Sequence, residues 1–332
     1  MNILITGGAG FIGSNLAESL LKSGHSVRVI DNLSTGRIEN IQMFLSDPTF
    51  SFIQGDVADR SLTDPLVQWA DHIYHFAAPV GVKYIMQNPV LAILGNIRSI
   101  DIILDLANRY QKVILIASTS EVYGRSLDFL DLTGQRKLTE LDYRIEGTTY
   151  NHRWAYANTK AMGEFLALAY FKEFATKVVV ARFFNTVGPR QLSQYGMVVP
   201  NFVQKALRNE PIQIYGTGKQ KRSFIHVADT VRAIADLMST QNAYGEVFNI
   251  GNPIEITIED LAKKIISMTN SSSEITYLSY EEAYGKGFED MDRRTADITK
   301  LCQTIDFHIS RSLDDIINDI ISVNKKAYPE SK

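Results

Sequence analysis

The chain has 332 residues, 45% of them hydrophobic and 21% charged, with a formal net charge of −3 at pH 7. That balance describes an ordinary globular chain of one large or two closely joined domains, and argues against a general role on nucleic acid or a membrane surface. One cysteine, Cys302, excludes a disulfide framework and a thiolate zinc site. No apolar run approaches the roughly 18 residues of a membrane span. The chain opens directly on a strand-like run, so a cytoplasmic protein without a signal peptide is expected.

The apolar run Ile3 to Ile5 meets Gly7, Gly8, Gly10 and Gly13, and then an apolar stripe at helical spacing, Ile12, Leu16, Leu20 and Leu21. Glycines allow a tight turn and a close approach to a pyrophosphate, and a helix start presents free N–H groups to it. Gly8-x-Gly10-x-x-Gly13 fits the dinucleotide fingerprint, and Gly7-x-x-Gly10-x-x-Gly13 fits its short-chain dehydrogenase relative. Gly7, Gly10, Phe11, Ile12 and Gly13 are therefore expected to hold a dinucleotide. Asp31 and Asn32 close the second strand-like run; a carboxylate there accepts from a ribose diol and repels a 2′-phosphate, so NAD is favoured over NADP. Arg37, six residues on, softens that preference.

Strand-like and helical runs then alternate, as a parallel sheet covered on both faces requires. Ser26–Ile30, Phe50–Gln54, His72–Ala77, Val113–Ser118 and Lys177–Phe183 read as buried strands. Asp56 and Val57 follow the third strand and are placed for an adenine edge; Ala77 and Ala78 follow the fourth, where a cofactor passes close to the backbone. Asn88–Tyr110 carries Leu91, Leu94, Ile97, Ile102 and Leu106 at helical spacing, and Tyr156–Phe174 has a similar stripe. Two such helices either cover the sheet or pair across a homodimer axis. After Phe183, glycines and prolines break the chain into short pieces, and Val231–Met238 with Glu246–Ile250 resume a helix and a strand. The expected class is α/β, a Rossmann-type doubly wound parallel sheet of about seven strands with a smaller, mixed C-terminal substrate-binding cap. The NAD-binding part spans 1–183 plus about 226–251, and the nucleotide-sugar part about 184–225 plus 252–332.

Tyr156 and Lys160, four apart on a helix, share one face. An ammonium beside a phenol favours the phenolate, which makes Tyr156 a competent base towards a sugar hydroxyl whose carbon gives up hydride. Thr119, just past the fifth strand, lies at the carboxyl edge where ligands bind in such sheets. The six histidines show no metal spacing, so no metal is expected; His75 reads as a packed core residue and His226 as structural.

Thr6 to Gly13, Asp31, Thr119, Tyr156 and Lys160, in this order, resemble the extended short-chain dehydrogenases that act on nucleotide sugars. The resemblance implies bound NAD and oxidation at C4 of the sugar. It extends to Ser118-Thr119-Ser120-Glu121, where the Ser-Glu pair is similar to UDP-glucuronic acid decarboxylases; simple 4-epimerases lack the acid, and 4,6-dehydratases carry Asp-Glu. Arg153-Trp154-Ala155-Tyr156, Gly218 to Arg222, and Tyr284 to Asp290 running into Arg293-Arg294 resemble the decarboxylase domain of the bifunctional enzyme that makes aminoarabinose for lipid A. The resemblance implies that Glu121 and Ser120 flank C5 and C6, and that Arg294 contacts the carboxylate and supplies or orients a proton donor. It further implies that Asn185 and Arg222, beside Lys219 and Lys221, contact the diphosphate, and that Tyr215 touches the base. Lys83 and Tyr84 are candidates for reading the sugar. The polar insert from Arg125 to Asn151 is expected to be a lid, and Phe288 stands where the aminoarabinose enzyme has a tyrosine. The implied activity is UDP-glucuronate decarboxylation to UDP-xylose or a UDP-4-ketopentose. The rivals are a 4,6-dehydratase or 4-epimerase of a UDP- or dTDP-hexose, and a non-catalytic NAD-binding module.

Overall fold

The computed structural model describes residues 1–79, 88–192, 197–284 and 290–327. Near-continuous apolar runs make strands buried on both faces: β1 (Asn2–Thr6), β2 (Ser26–Asp31), β3 (Phe50–Gln54), β4 (His72–His75), β5 (Val113–Thr119), β6 (Val178–Phe183) and β11 (Glu246–Ile250). They form one parallel sheet in the order β11-β6-β5-β4-β1-β2-β3, the doubly wound architecture expected. The order reverses between β1 and β4. That switch point leaves a crevice at the carboxyl ends of the strands.

Alternation along each strand divides the core into two layers. Ile3 and Ile5 point to one face, where α1 (Phe11–Lys22), α6 (Val227–Met238) and α8 (Thr299–Ile305) supply Leu16, Ile234 and Leu301. Leu4 points to the other, against Leu66 of α2 (Arg60–Trp69), Ile103 of α3 (Pro89–Arg109) and Ala167 of α4 (Ala155–Phe174). On α3 the apolar stripe read from the sequence divides. Leu106 is fully buried, whereas Leu91 and Leu94 are exposed, because residues small enough for α3 to lie close, Ala92, Ser99 and Ala107, occupy the inner face.

The cap has its own core, in which α5 (Val198–Leu207), α7 (Ile258–Thr269) and α9 (Leu313–Ala327) bring Phe202, Leu261 and Ile317 together. Around it lie three small sheets. β7 (Thr186–Val187) pairs with β10 (Ile225–His226), β8 (Ile212–Tyr215) with β13 (Ile275–Leu278), and β9 (Lys221–Ser223) sits between β12 (Glu255–Thr257) and β14 (Arg293–Arg294). The 125–151 insert runs as a strap instead of a lid. The Leu138 N–H donates to Thr295 O at 2.8 Å, Asn249 Nδ2 donates to Leu138 O at 2.9 Å, and no residue of the insert lines the central cavity.

α4 is fastened to β6 by a buried ion pair. Arg182 donates from Nε to Glu164 Oε1 at 2.9 Å and from Nη2 to Oε2 at 2.7 Å, and the Ser118 hydroxyl also donates to Glu164. Removing one partner leaves the other charge buried and uncompensated. Glu164→Ala is therefore expected to destabilise the protein by about 3–5 kcal/mol in urea titrations; a loss near that of an exposed ion pair, below about 1 kcal/mol, would contradict this.

Candidate active site

A cavity of about 550 Å³ opens at the carboxyl edge, between the sheet and the cap. Its first wall is the turn after β1. Gly7 has φ +69°, and a Cβ there would meet Ala77 N at 2.8 Å; a Cβ on Gly13 would meet Gly7 O at 2.5 Å. The backbone of β1, the start of α1 and the end of β4 are thus packed as only glycine permits. Gly10, Phe11, Ile12, Ala77 and Ala78 line the same cavity. Asp31 is buried, accepting from Leu33 N at 2.8 Å and Ala9 N at 3.0 Å. Burial pushes its carboxyl up against the pull of those two N–H groups. Asn32 and Val57 complete that end with Asp56, whose Oδ2 accepts from Asn32 Nδ2 at 3.2 Å. Arg37 is exposed and outside the cavity lining. A narrow glycine cradle at a helix start, with an acid at the next strand end, suits a dinucleotide carrying an unmodified ribose.

At the middle of the cavity Thr119, Ser120, Tyr156 and Lys160 come together. Thr119 ends β5, and its Oγ1 accepts from Glu121 N at 3.2 Å while bonding to the Tyr156 phenol. Lys160 donates to Ala117 O at 3.0 Å, with Nζ 6.0 Å from the centre of the Tyr156 ring. Burial brings Lys160 down to about 8, against the Glu164 carboxylate. The Tyr156 phenol differs from the reading of its sequence spacing. Burial, and then the Glu121 carboxylate, push it up, while the Thr119 hydrogen bond and Arg294 hold it back. Lys160 donates to a carbonyl and not to the phenol. His75 packs as the sequence indicates: Nδ1 lies 2.8 Å from Thr6 Oγ1, and burial, then Lys160, lower it to about 3.

The far end is a line of alternating charges. Glu121 is held on Oε1 by Arg294 and on Oε2 by Arg153 Nη1 at 2.6 Å. Burial works against its charge, yet the two guanidinium groups outweigh it and keep the carboxyl at about 2. Arg294 Nη2 donates to Asn185 Oδ1 at 2.9 Å. Arg153 lies 3.9 Å from Asp290, which accepts from Arg222 at 2.9 Å. Arg222 and Tyr215 are outside the cavity lining, since Arg222 is turned into the β9–β14 junction. Arg293 is also turned away, to Asp131 and Glu255. Lys83 and Tyr84, like Phe288, lie outside the described residues.

Several lining residues were given no site role by the sequence reading, among them Arg190, Gln191, Pro200 and Arg153, which entered only within the Arg153-Trp154-Ala155-Tyr156 resemblance. Arg190 ties the cap to α1 through Ser14 O at 3.0 Å and through Glu18. Its place after Gly188-Pro189, and that of Arg153 three residues before Tyr156, were the available signals. Among the described residues no cluster of His, Cys, Asp and Glu could hold a metal, and no helix is long and apolar enough to cross a membrane.

A family model described as GDP-mannose 4,6 dehydratase matches residues 4–320. The chain is 36% identical to a UDP-N-acetyl-alpha-D-glucosaminuronate decarboxylase of Bacillus cytotoxicus, over 96% of each chain. It is 37% identical to UDP-glucuronic acid decarboxylase 1 of Xenopus tropicalis over 90% of this chain, spanning 66% of that longer protein. Of the solved structures, a Bacillus cereus UDP-glucuronic acid 4-epimerase in complex with UDP-glucuronic acid and NAD superposes with a TM-score of 0.87. The two are 28% identical, over 99% of this chain and 100% of the other.

Lys160 gives a pH test. Its ammonium is less stable in the fold, ionising at about 8 against an ordinary 10.5, so the unfolded chain holds that proton more tightly. The charged lysine therefore costs stability at neutral pH, a cost that fades as pH rises from about 8 to about 10.5. Lys160→Met is expected to stabilise the protein by on the order of 1–3 kcal/mol at pH 7 and by less at pH 10, read from urea titrations. Equal gains at both pH values would refute the assignment.

Proposed function

The chain belongs to the family of the GDP-mannose 4,6-dehydratase model, nucleotide-sugar enzymes of the extended short-chain dehydrogenase type, and we propose that within it this protein is an NAD-dependent UDP-glucuronate decarboxylase. The observation that carries this reading is Glu121, an acid directly behind Thr119 and flanked by Arg153 and Arg294. Simple hydride return at C4 needs no such group; losing a carboxylate as CO₂ and reprotonating C5 afterwards does.

The turn from Gly7 to Gly13, Asp31, Asn32, Asp56, Val57, Ala77 and Ala78 would hold NAD, with Tyr156 and Lys160 at its reactive end. When bound, NAD supplies the hydride acceptor for C4. Tyr156 takes the proton of the C4 hydroxyl, Thr119 bridges the same oxygen, and Lys160 charge favours the phenolate once a ligand draws it from Ala117 O. With C4 a ketone the uronate is a β-keto acid, and the electrons of the C5–C6 bond drain into that carbonyl as C6 leaves as CO₂. Arg294 pairs with the carboxylate through its fork before it leaves. Ser120 and Glu121 stand by C5 to orient a proton donor. Asn185 supports Arg294 and, with Arg222 and Tyr215, is proposed to meet the nucleotide. A second reading, a 2-acetamido uronate as substrate, is favoured by the B. cytotoxicus relative, 96% of whose length the match covers.

We also propose a cytoplasmic homodimer. Leu91 and Val90 on α3 are 63% and 65% exposed, and Phe165 and Met162 on the adjacent α4 are 64% and 58% exposed. A second copy would cover that apolar face.

Wild-type protein given NAD and UDP-glucuronate is expected to release CO₂. CO₂ without accumulating NADH means the ketopentose is reduced in place; conversion of a neutral hexose with no CO₂ would favour the epimerase or dehydratase rivals. Tyr156→Phe should lower turnover by ~10²–10⁴-fold. Glu121→Ala should suppress CO₂ release more than NADH formation in a single turnover, and equal loss in both would remove Glu121 from its role. Phe165→Asp should shift sedimentation from dimer to monomer without loss of fold.

A further inference from the structure

The two arginines on Glu121 are not equivalent. Arg294 sits on β14, the edge of the cap sheet, and lines the cavity from the cap side, with Nη2 donating to Asn185 Oδ1 at 2.9 Å. Arg153 is 4% exposed and belongs to the other side of the cleft, on the turn that leads into α4. Its main-chain N–H is fixed by Asn151 Oδ1 at 3.1 Å, its guanidinium lies 5.3 Å from the Trp154 ring, and Asp290 stands 3.9 Å away.

An anionic substrate meets this asymmetry at once. Among the described residues, the linked ion pairs contain three arginines, Arg153, Arg222 and Arg294, and two acids, Glu121 and Asp290, which leaves one positive charge over. A substrate carboxylate that takes Arg294 removes one of the two partners of Glu121. Two carboxylates would then share a single arginine if Arg153 were absent, and like charges in a buried site push each other towards the protonated form. With Arg153 in place, each carboxylate keeps its own guanidinium.

We infer that Arg153 is a positioning residue that anchors Glu121 in its ionised form while Arg294 exchanges Glu121 for the substrate carboxylate. The exchange discriminates, because a neutral hexose offers Arg294 nothing to exchange for. It also protects the reacting hydroxyl. Glu121 N donates to Thr119, which bonds to Tyr156, so a displaced Glu121 would disturb the oxygen pair at C4. The charged and titratable groups facing Glu121 are Arg153 from the turn before α4, Tyr156 from α4 itself and Arg294 from β14. The inference rests on the uronate reading for the nature of the incoming carboxylate.

The test is an infrared titration of the Glu121 carboxyl, assigned by its loss in Glu121→Gln. It is done on free protein and on protein with NAD and UDP-glucuronate, in a Tyr156→Phe background that slows turnover. Glu121 is expected to stay ionised through neutral pH in both states. Arg153→Gln should raise its ionisation by about one to three pH units, more with UDP-glucuronate than without, and Arg153→Lys should restore most of the shift. Protonation of Glu121 on ligand binding with Arg153 intact would overturn the inference without any variant at Arg153. An unmoved titration in Arg153→Gln would do so too. Failure of the decarboxylase reading shows separately, as wild-type protein that releases no CO₂, and leaves the free-protein titration still decisive for Arg153.

Discussion

A buried carboxylate is stable only where positive charge or hydrogen bonds replace the water it lost, and Glu121 shows how much structure that requirement recruits. One of its arginines comes from β14 in the cap and the other from the turn before α4, 173 and 32 positions from it in the linear chain if counted from their residue numbers. The cap must sit where it does for Arg294 to arrive, and α4 must begin where it does for Arg153. The fastening of α4 to β6 through Glu164 and Arg182 then fixes Tyr156 and Lys160 on the same helix. Electrostatic satisfaction of one acid and the geometry of the proposed base are one constraint.

The sheet was legible because strands buried on both faces need continuous apolar runs, and these bear on few other folds once they alternate with helical stretches. Phe50–Gln54 and Glu246–Ile250 have the bounds read from the sequence. The cavity residues at strand ends were legible for the same reason: a parallel sheet gathers its carboxyl ends at one edge, so Gly7, Asp31, Ala77 and Thr119 meet without further information. The α3 stripe was not, because a helical period marks a face without saying whether the sheet or another surface covers it. The ion pairs of Arg222 with Asp290 and of Arg153 with Glu121 were not legible, since the partner of a charged side chain depends on tertiary approach that spacing does not encode. The insert failed as a lid for a related reason. Its polar residues, such as Glu140, bond to the end of β11 instead of facing the cleft.

The free protein holds the groups proposed to react at rest. Lys160 is occupied by Ala117 O, the Tyr156 phenol is pushed up by burial, and Glu121 is clamped by two guanidinium groups. Each of these is a contact that a ligand with the right charge can replace. On the proposed function, such a site would gain its reactive ionisation states together with its ligand, which would couple the hydride chemistry to occupancy of the cleft.

The interleaving of the two layers sets an order on assembly at the ribosome. The edge strand β11 emerges only after the first segment of the cap, and Leu301 and Phe307, which pack in the core of the sheet, emerge only after most of the cap has been made. The nucleotide-binding half therefore cannot complete its core first and wait for the cap. Its partly covered sheet stays exposed during synthesis, and a truncated chain ending before residue 246 would present β6 as an open, apolar edge of the kind that invites aggregation.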